Sequence, residues 1–293
     1  MKVIIGIPAF NEENNIAKII VKLKKKYEHV IVCDDGSSDM THDIATSLGA
    51  IVVKHSTNLG YGAAIKTIFN ESKKIEGDVL VTFDADGQHQ ISEIDSVLKP
   101  IFENSSDIVI GSRFLGSTKD LPKYRKIGIK TITSLTNTLT GSKITDAQSG
   151  FRAYSKKVLN EITPTESGMG ISTEILIKSA KNDMRITEVP ITISYEGNTH
   201  SQEAVSHGTS VVMSTIKHVA IERPLLYYGV TGLCFTILGL IFGGWTIQIF
   251  SDERVLAPGF ALIGIGGVIL GTILLITATI LYSIVNVIRE KNN

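Results

Sequence analysis

The sequence predicts an α/β domain built on a mostly parallel, Rossmann-like sheet, followed by an apolar helical hairpin. Three observations carry this expectation. Short β-rich runs alternate with helical patterns between residues 3 and 110. Polar clusters rich in Asp, Asn and Glu follow three of those runs. Two long uncharged apolar stretches close the chain.

The elements follow in order. Strands are expected at 3–7, 30–33, 51–53, 79–83 and 108–110, and a last one ends in Val189-Pro190-Ile191-Thr192-Ile193. Helices are expected at 14–26, 40–48, 61–72 and 91–102. The apolar start is too short for a signal peptide and runs straight into a polar motif, so it reads as a buried strand. In parallel sheets ligands bind beyond the carboxyl ends of strands. Pro8-Ala9-Phe10-Asn11-Glu12-Glu13 follows the first strand, Asp34-Asp35-Gly36-Ser37-Ser38-Asp39 the second, and Asp84-Ala85-Asp86-Gly87-Gln88-His89 the fourth. A cleft is therefore expected on that rim.

No residue is charged in 225–250 or in 255–288, and each stretch exceeds the roughly 20 apolar residues a bilayer core requires. Only Ser251-Asp252-Glu253-Arg254 lies between them, so the pair is expected to turn back as a hairpin with spans near 225–250 and 258–285. Lys217, Arg223, Arg289 and Lys291 flank it, which places both ends, and the N-terminal domain, on the cytosolic side of a cell membrane. Gly239 with Gly243, and Gly267 with Gly271, permit close helix approach within the hairpin or between copies in a homo-oligomer. Val205, Val212, Met213, Ile216, Val219 and Ala220 repeat at helical spacing, which predicts an amphipathic helix at the membrane interface. The expected division is 1–203, 204–223 and 224–293.

The formal charge of the 293 residues is zero, so no field recruits nucleic acid. Cys33 and Cys234 are the two cysteines, and both are expected as buried free thiols. No Gly-x-Gly-x-x-Gly follows the first strand and no Walker A run occurs, which argues against dinucleotide and P-loop chemistry. Acids stand where sugar-1-phosphate nucleotidyltransferases carry a basic glycine-rich loop. Two carboxylates one residue apart at a strand end, Asp84 and Asp86, suit a hard cation, Mg²⁺ or Mn²⁺, and the amide oxygen of Gln88 adds a ligand. A capped turn is the plain structural alternative for this motif.

Taken with Gly111-Ser112-Arg113-Phe114, these motifs resemble family 2 glycosyltransferases of the GT-A fold. More narrowly, they resemble the dolichyl-phosphate mannose or glucose synthases and their undecaprenyl-phosphate relatives. The resemblance covers residues 1–200 and implies transfer from a nucleotide-sugar to a polyprenyl (dolichyl) phosphate. It implies that Pro8, Ala9, Asn11 and Glu12 line the nucleotide pocket together with Ala85, and that Asp35 accepts from the base edge. Asp84, Asp86 and Gln88 would hold the metal. Glu12 also fits a helix-start acid, and Asp39 a helix cap. Arg113 suits a bidentate grip on a phosphate, and Arg125, in Lys123-Tyr124-Arg125-Lys126, adds charge beyond it. Asp146 or Gln148, in Asp146-Ala147-Gln148-Ser149-Gly150-Phe151-Arg152, would lie near the transferred sugar, and Asp146 also fits a turn-stabilising role. One departure is visible: the family's arginine and Gly-x-Ser-Lys run after the last strand are replaced by Tyr195-Glu196-Gly197-Asn198-Thr199-His200-Ser201, with His200 or His207 left to meet a phosphate. A polysaccharide acceptor or a non-catalytic scaffold are the competing readings. The processive Gln-x-x-Arg-Trp motif is absent, the single Trp245 lies in the first apolar stretch, and all three acidic clusters are intact.

Overall fold

A computed structural model describes residues 1–116, 123–192, 224–255 and 257–292. The chain divides into two compact units, Met1–Thr215 and Ile216–Asn293. The expected interfacial helix, its boundaries at 203 and 223, and His200 and His207 lie outside the described residues.

The first unit carries a seven-stranded sheet in the order β3-β2-β1-β4-β6-β5-β7. Its strands are β1 Val3–Ala9, β2 His29–Asp34, β3 Ile51–Lys54, β4 Val79–Thr82, β5 Ile108–Ser112, β6 Arg152–Ser155 and β7 Ile186–Pro190. All neighbours are parallel except β6, which runs antiparallel to both β4 and β5. The helices are α1 Glu13–Lys24, α2 Thr41–Ser47, α3 Tyr61–Lys74, α4 Ile94–Phe102, α5 Lys123–Thr140, α6 Lys156–Glu161 and α7 Ile171–Lys181. The helix expected at 91–102 opens as a short 3-10 turn, Ile91–Glu93, before α4.

Both faces of the sheet are covered, as the near-continuous apolar strands require. Side chains alternate along each strand. Ile5, Ile7, Val30, Val32, Val79 and Val81 enter a core with Ile16, Ile20 and Leu23 of α1 and Val97 and Ile101 of α4. Ile4, Ile31, Leu80, Ile108 and Ile110 enter a second core with Ile65, Ile68 and Phe69 of α3 and Leu176 of α7. The buried positions of α1, Ile16, Ile19, Ile20 and Leu23, are the 3–4 spacing of one helix face.

The strand order locates the site. The chain builds β1, β2 and β3 outward in one direction, and α3 then carries it back across to β4 on the other side of β1. The carboxyl ends of β1 and β4 therefore flank the point where the order reverses, where parallel sheets open a crevice. The antiparallel β6 adds a second consequence. Its first residue, Arg152, pairs with Thr82 of β4 and Ile110 of β5. The segment leading into it, residues 146–151, consequently lies on the same rim.

The second unit contains α8, Val230–Glu253, entered through a π turn at Leu225–Gly229, and α9, Pro258–Asn292. Arg254, at φ 53°, ends α8 and donates its N–H to Phe250 O at 3.1 Å. Two stretches, Tyr227–Glu253 and Pro258–Val285, are long and apolar enough to cross a membrane, with mean hydropathies of 1.8 and 2.4. Only 6% and 11% of their most apolar windows are buried, unlike the core helix of a soluble protein. The helices pack antiparallel on glycine. A Cβ on Gly239 would stand 2.6 Å from Val268 N, and one on Gly271 2.6 Å from Thr236 N. Gly267 meets Gly239 in the same way, whereas Gly243 has open space at its own Cβ position. Three of the four glycines expected to permit close approach thus do so inside the hairpin. Cys33 is buried, as expected; Cys234 is exposed on α8, because an apolar neighbourhood in this unit is helix surface and not protein core.

Candidate active site

The acidic clusters meet on one rim, and each is fixed by local hydrogen bonds. Asn11 adopts φ 55°, a left-handed conformation that Asn tolerates. It donates its N–H to Ser37 Oγ at 2.9 Å and accepts Ser38 N–H on Oδ1 at 3.0 Å, joining the first cluster to the second. Glu12 caps α1 with its carbonyl, which accepts from Asn15 and Ile16 at 3.0 and 2.9 Å. Its N–H donates to Thr41 Oγ1 at 2.8 Å and its carboxylate accepts from Asn15 Nδ2 at 2.9 Å. Burial raises the Glu12 carboxyl above its ordinary value, against the Asn15 bond and with help from the charges of Asp39 and Asp84. Those influences mark Glu12 as part of the acidic rim as well as a helix start. Asp39 accepts from Thr41 N, Thr41 Oγ1 and Glu13 N; the N-cap of α2 is Met40, so Asp39 holds the first N–H of α2 and of α1 from one residue before the expected cap position.

Asp35 is almost fully buried. Its N–H donates to Ala9 O at 2.8 Å, and its carboxylate accepts Leu59 N–H on Oδ1 at 2.9 Å and Gly60 N–H on Oδ2 at 2.8 Å. His55 Nδ1 lies 2.6 Å from Oδ1 while its Nε2 meets Thr67 Oγ1 at 2.9 Å. Sequence reasoning did not single out His55, because a lone His after a strand carries no pattern. With three partners on four lone-pair positions, Asp35 retains room for one further donor.

Asp84 and Asp86 extend from the end of β4. Asp86 Oδ1 accepts Gln88 N–H at 3.0 Å, so the turn that shapes the motif also holds its second acid. Desolvation by the surrounding cleft, then the charge of Asp84, pushes the Asp86 carboxyl up to about 6. Tyr61 Oη donates to Asp84 Oδ1 at 3.3 Å. Burial, followed by the Asp84 charge, keeps that hydroxyl protonated far above its ordinary range. His89, its ring tilted against those of Phe83 and Phe151, brings Nε2 to 3.4 Å from Asp84 Oδ2.

Among the described residues no three His, Cys, Asp or Glu side chains form a metal cluster by themselves. The donor set nevertheless fits a hard divalent cation. The charge of Asp84 raises the cost of ionising Asp86, and a cation relieves it. Oxygen ligands from a diphosphate and water would complete such a site.

Arg113 and Asp146 are brought together. The guanidinium donates Nε to Oδ2 at 2.6 Å and Nη2 to Oδ1 at 2.7 Å, and Arg113 N–H reaches Oδ2 at 3.2 Å. The bidentate geometry expected toward a phosphate is therefore made to a fully buried carboxylate. The cause is the antiparallel β6, which returns Asp146 beside the end of β5. Glu188 of β7 secures the turn, accepting Asp146 N–H at 2.9 Å and Thr145 N–H at 2.7 Å. Gln148 donates Nε2 to Thr173 Oγ1 at 2.9 Å. Arg152, only 1% exposed, donates to the carbonyls of Ser149, Ser172 and Ala147 at 2.7–2.8 Å. It holds the 147–150 turn from behind. Pro8, Ala9 and Ala85 line the rim through backbone position, with Ala9 and Ala85 buried. Arg125 lies in the first turn of α5, but its side chain lies outside the described residues.

Comparison with known proteins agrees with this geometry. The pattern of "Glycosyl transferase family 2" matches residues 4–163. The UDP-N-acetylglucosamine–dolichyl-phosphate N-acetylglucosaminyltransferase of Methanococcus voltae is 34% identical, over 71% of this chain and 89% of that one. The dolichol-phosphate mannosyltransferase of Pyrococcus furiosus is 31% identical, over 69% of this chain and 59% of that one. Among solved structures, the glucosyl-3-phosphoglycerate synthase of Mycobacterium tuberculosis in complex with uridine diphosphate superposes with a TM-score of 0.60. The match is 20% identical and spans 74% of this chain and 79% of that one. The same enzyme with Mn²⁺, uridine diphosphate and glucosyl-3-phosphoglycerate gives 0.59, at 19% identity over 74% and 79% of the two chains.

Proposed function

The chain belongs to glycosyl transferase family 2 and is a glycosyltransferase; from that premise we propose that it moves a sugar from a nucleotide-sugar to a polyprenyl (dolichyl) phosphate at the cytosolic membrane face. The observation that carries the reading is the Asp84–Asp86 pair at the sheet's reversal point, beside Glu12 and within the rim that also holds Asp35. Relatives that act on dolichyl phosphate, and two helices long and apolar enough to span a bilayer, support the lipid acceptor. Lys217, Arg223, Arg289 and Lys291 on the flanks support the cytosolic orientation.

Asp84, Asp86 and Gln88 would hold Mg²⁺ or Mn²⁺. Bound there, the ion supplies charge neutralisation to the departing nucleoside diphosphate. Asp35, with one acceptor position left, takes a single N–H from the base edge. Asn11, Pro8 and Ala9 fix the wall against which the nucleoside lies. An oxygen of the acceptor phosphate attacks the anomeric carbon as the bond from that carbon to the diphosphate breaks, which inverts the configuration. That oxygen is already ionised at neutral pH, so no general base is required. The protein supplies position and a preorganised field. The Arg113–Asp146 pair holds the acceptor-side turn, and Arg125 brings positive charge for the incoming phosphate. Gln148 borders the sugar.

Membranes containing the chain, given radiolabelled UDP- and GDP-sugars, should yield organic-extractable label that chelation of divalent ions abolishes. Asp84→Ala and Asp86→Ala should abolish it with the fold intact. Label appearing only in water-soluble polymer, or undiminished by chelation, would sink the acceptor or the metal assignment respectively.

A further inference from the structure

Tyr61, His89 and Gly150 close around the Asp84 carboxylate. Tyr61 Oη donates to Oδ1 at 3.3 Å, and His89 Nε2 lies 3.4 Å from Oδ2. The third is Gly150: a Cβ there would stand 2.6 Å from Asp84 Oδ2 and 2.6 Å from Tyr61 Oη. No real Cβ sits that close to an oxygen, so the bare backbone of residue 150 is a wall of the carboxylate's pocket. It is itself fixed, because Gly150 O accepts from Thr82 Oγ1 at 2.6 Å and the turn behind it is held by Arg152.

Tyr61 arrives on an equally constrained segment. The two residues before it, Leu59 and Gly60, give their N–H groups to Asp35. Gly60 has φ 97°, which a side chain would resist. Two residues after it, Ala63 N–H donates to Ser167 O at 3.1 Å. The strap containing Ser167 lies so close that a Cβ on Gly60 would meet Ser167 O at 2.7 Å, and one on Gly62 would meet Glu166 O at 2.5 Å. The strap is anchored by Glu174, which is fully buried and accepts from Thr165 N and Glu166 N at 2.9 Å and bonds Thr165 Oγ1. Residues 59–61 therefore touch two carboxylates of the cleft, Asp35 through two amides and Asp84 through one hydroxyl.

We infer that Tyr61 is a positioning residue for the metal-side carboxylate: its hydroxyl, opposed by the Gly150 backbone, fixes the orientation in which Asp84 presents its remaining lone pairs to a divalent cation. Through Leu59 and Gly60 the same segment sets the spacing between Asp84 and Asp35. The inference rests on the metal reading of Asp84 proposed above. Partners that orient a ligand without touching the ion change metal affinity by about 10- to 100-fold, and the 3.3 Å bond places Tyr61 at the lower end.

Tyr61→Phe keeps the ring and removes only the hydroxyl. The test uses the full chain in detergent micelles, titrated with Mn²⁺ in the presence of UDP and, separately, GDP. Free Mn²⁺ is read from its paramagnetic resonance signal, and thermal unfolding is followed in parallel. The expected result is about tenfold weaker Mn²⁺ binding with a melting temperature close to the parent's, and transfer that recovers at saturating Mn²⁺. Gly150→Ala should weaken Mn²⁺ binding in the same direction, since its Cβ displaces Asp84 or Tyr61. Unchanged Mn²⁺ affinity in both variants overturns the inference while leaving the metal reading in place. A transfer defect that added Mn²⁺ does not correct also overturns it. A parent chain that binds no Mn²⁺ with either nucleotide overturns the inference and the metal reading together.

Discussion

Removing one partner of the Arg113–Asp146 pair should destabilise the first unit sharply. Asp146 is fully buried, Arg113 retains 14% of its side-chain exposure, and two charge-assisted bonds of 2.6 and 2.7 Å join them. Breaking such a pair leaves an uncompensated buried charge, at a cost of about 3–5 kcal/mol. In Arg113→Ala the carboxylate keeps the N–H groups of residues 113 and 148, at 3.2 and 3.3 Å, so the lower figure applies. For a unit of this size, about 1 kcal/mol moves the melting temperature by roughly 2–4 °C, which gives a loss of about 6–12 °C. Asp146→Asn should lower the melting temperature in the same direction. Removing both charges in Arg113→Met with Asp146→Leu should recover most of the loss, because the penalty belongs to the unpaired partner. Thermal unfolding in detergent, followed by circular dichroism, closes the double-mutant cycle. Single variants that melt within about 2 °C of the parent, or a double variant whose loss is the sum of the singles, would refute the argument. The same cycle explains why Arg113→Ala is a poor probe of acceptor binding: its kinetic defect would mix contact with collapse of the 146–150 turn.

Asp86→Asn should stabilise the metal-free chain at pH 7.5, and that advantage should shrink progressively as pH falls from about 6 toward 4. Desolvation and then the charge of Asp84 push the folded carboxyl up to about 6, above its unfolded value. Between roughly pH 4 and 6 the folded state therefore binds more protons, and stability contributed by this group falls as pH rises; melting curves of the two proteins across pH 5–7.5 check the sign. Mn²⁺ affinity should fall as pH drops through 6, since proton and ion compete for the same carboxylate, and a flat profile between pH 5 and 7.5 would contradict this. Glu174→Ala should cost about 2 kcal/mol or more, because the N–H groups of Thr165 and Glu166 lose their acceptor; hydrogen exchange should show the 163–168 strap opening before the rest of the unit. In the hairpin, Gly271→Val should force the helices apart, since a Cβ there meets Thr236 Oγ1 at 2.2 Å, whereas Gly266→Ala faces open space and should be neutral. Cysteine cross-linking between α8 and α9 distinguishes the two.

The parts of the fold that sequence made legible are those where one local signal dominates. Strands β1, β2 and β4 are apolar runs ending in acids, and their ends could be read because burial on both sheet faces demands such runs. β6 was invisible for the opposite reason. Arg-Ala-Tyr-Ser has no apolar run, and it is a strand only because β4 and β5 each leave it a free edge. A buried arginine in that strand is tolerated because three carbonyls receive it. α5 escaped notice as well. Its Thr-rich sequence has weak helical preference, and Thr131, Thr136, Thr138 and Thr140 turn back to bond the carbonyl four residues earlier.

The same distinction holds at the site, and it explains what the two-acid motif needs. Asp84 and Asp86 were readable because one residue separates them at a strand end. Tyr61, His55, Gly150 and Arg152 come from three other places in the chain, and no spacing rule links them to β4. They converge because α3 crosses back at the sheet's reversal point and because β6 runs against its neighbours. An aspartate pair on a parallel strand end has an orientation only as firm as its surroundings. Here those surroundings include a tyrosine hydroxyl, an imidazole and the bare backbone of a glycine. A chain carrying the four sequence motifs with a side chain at position 150 would keep its acids and lose the geometry that presents them.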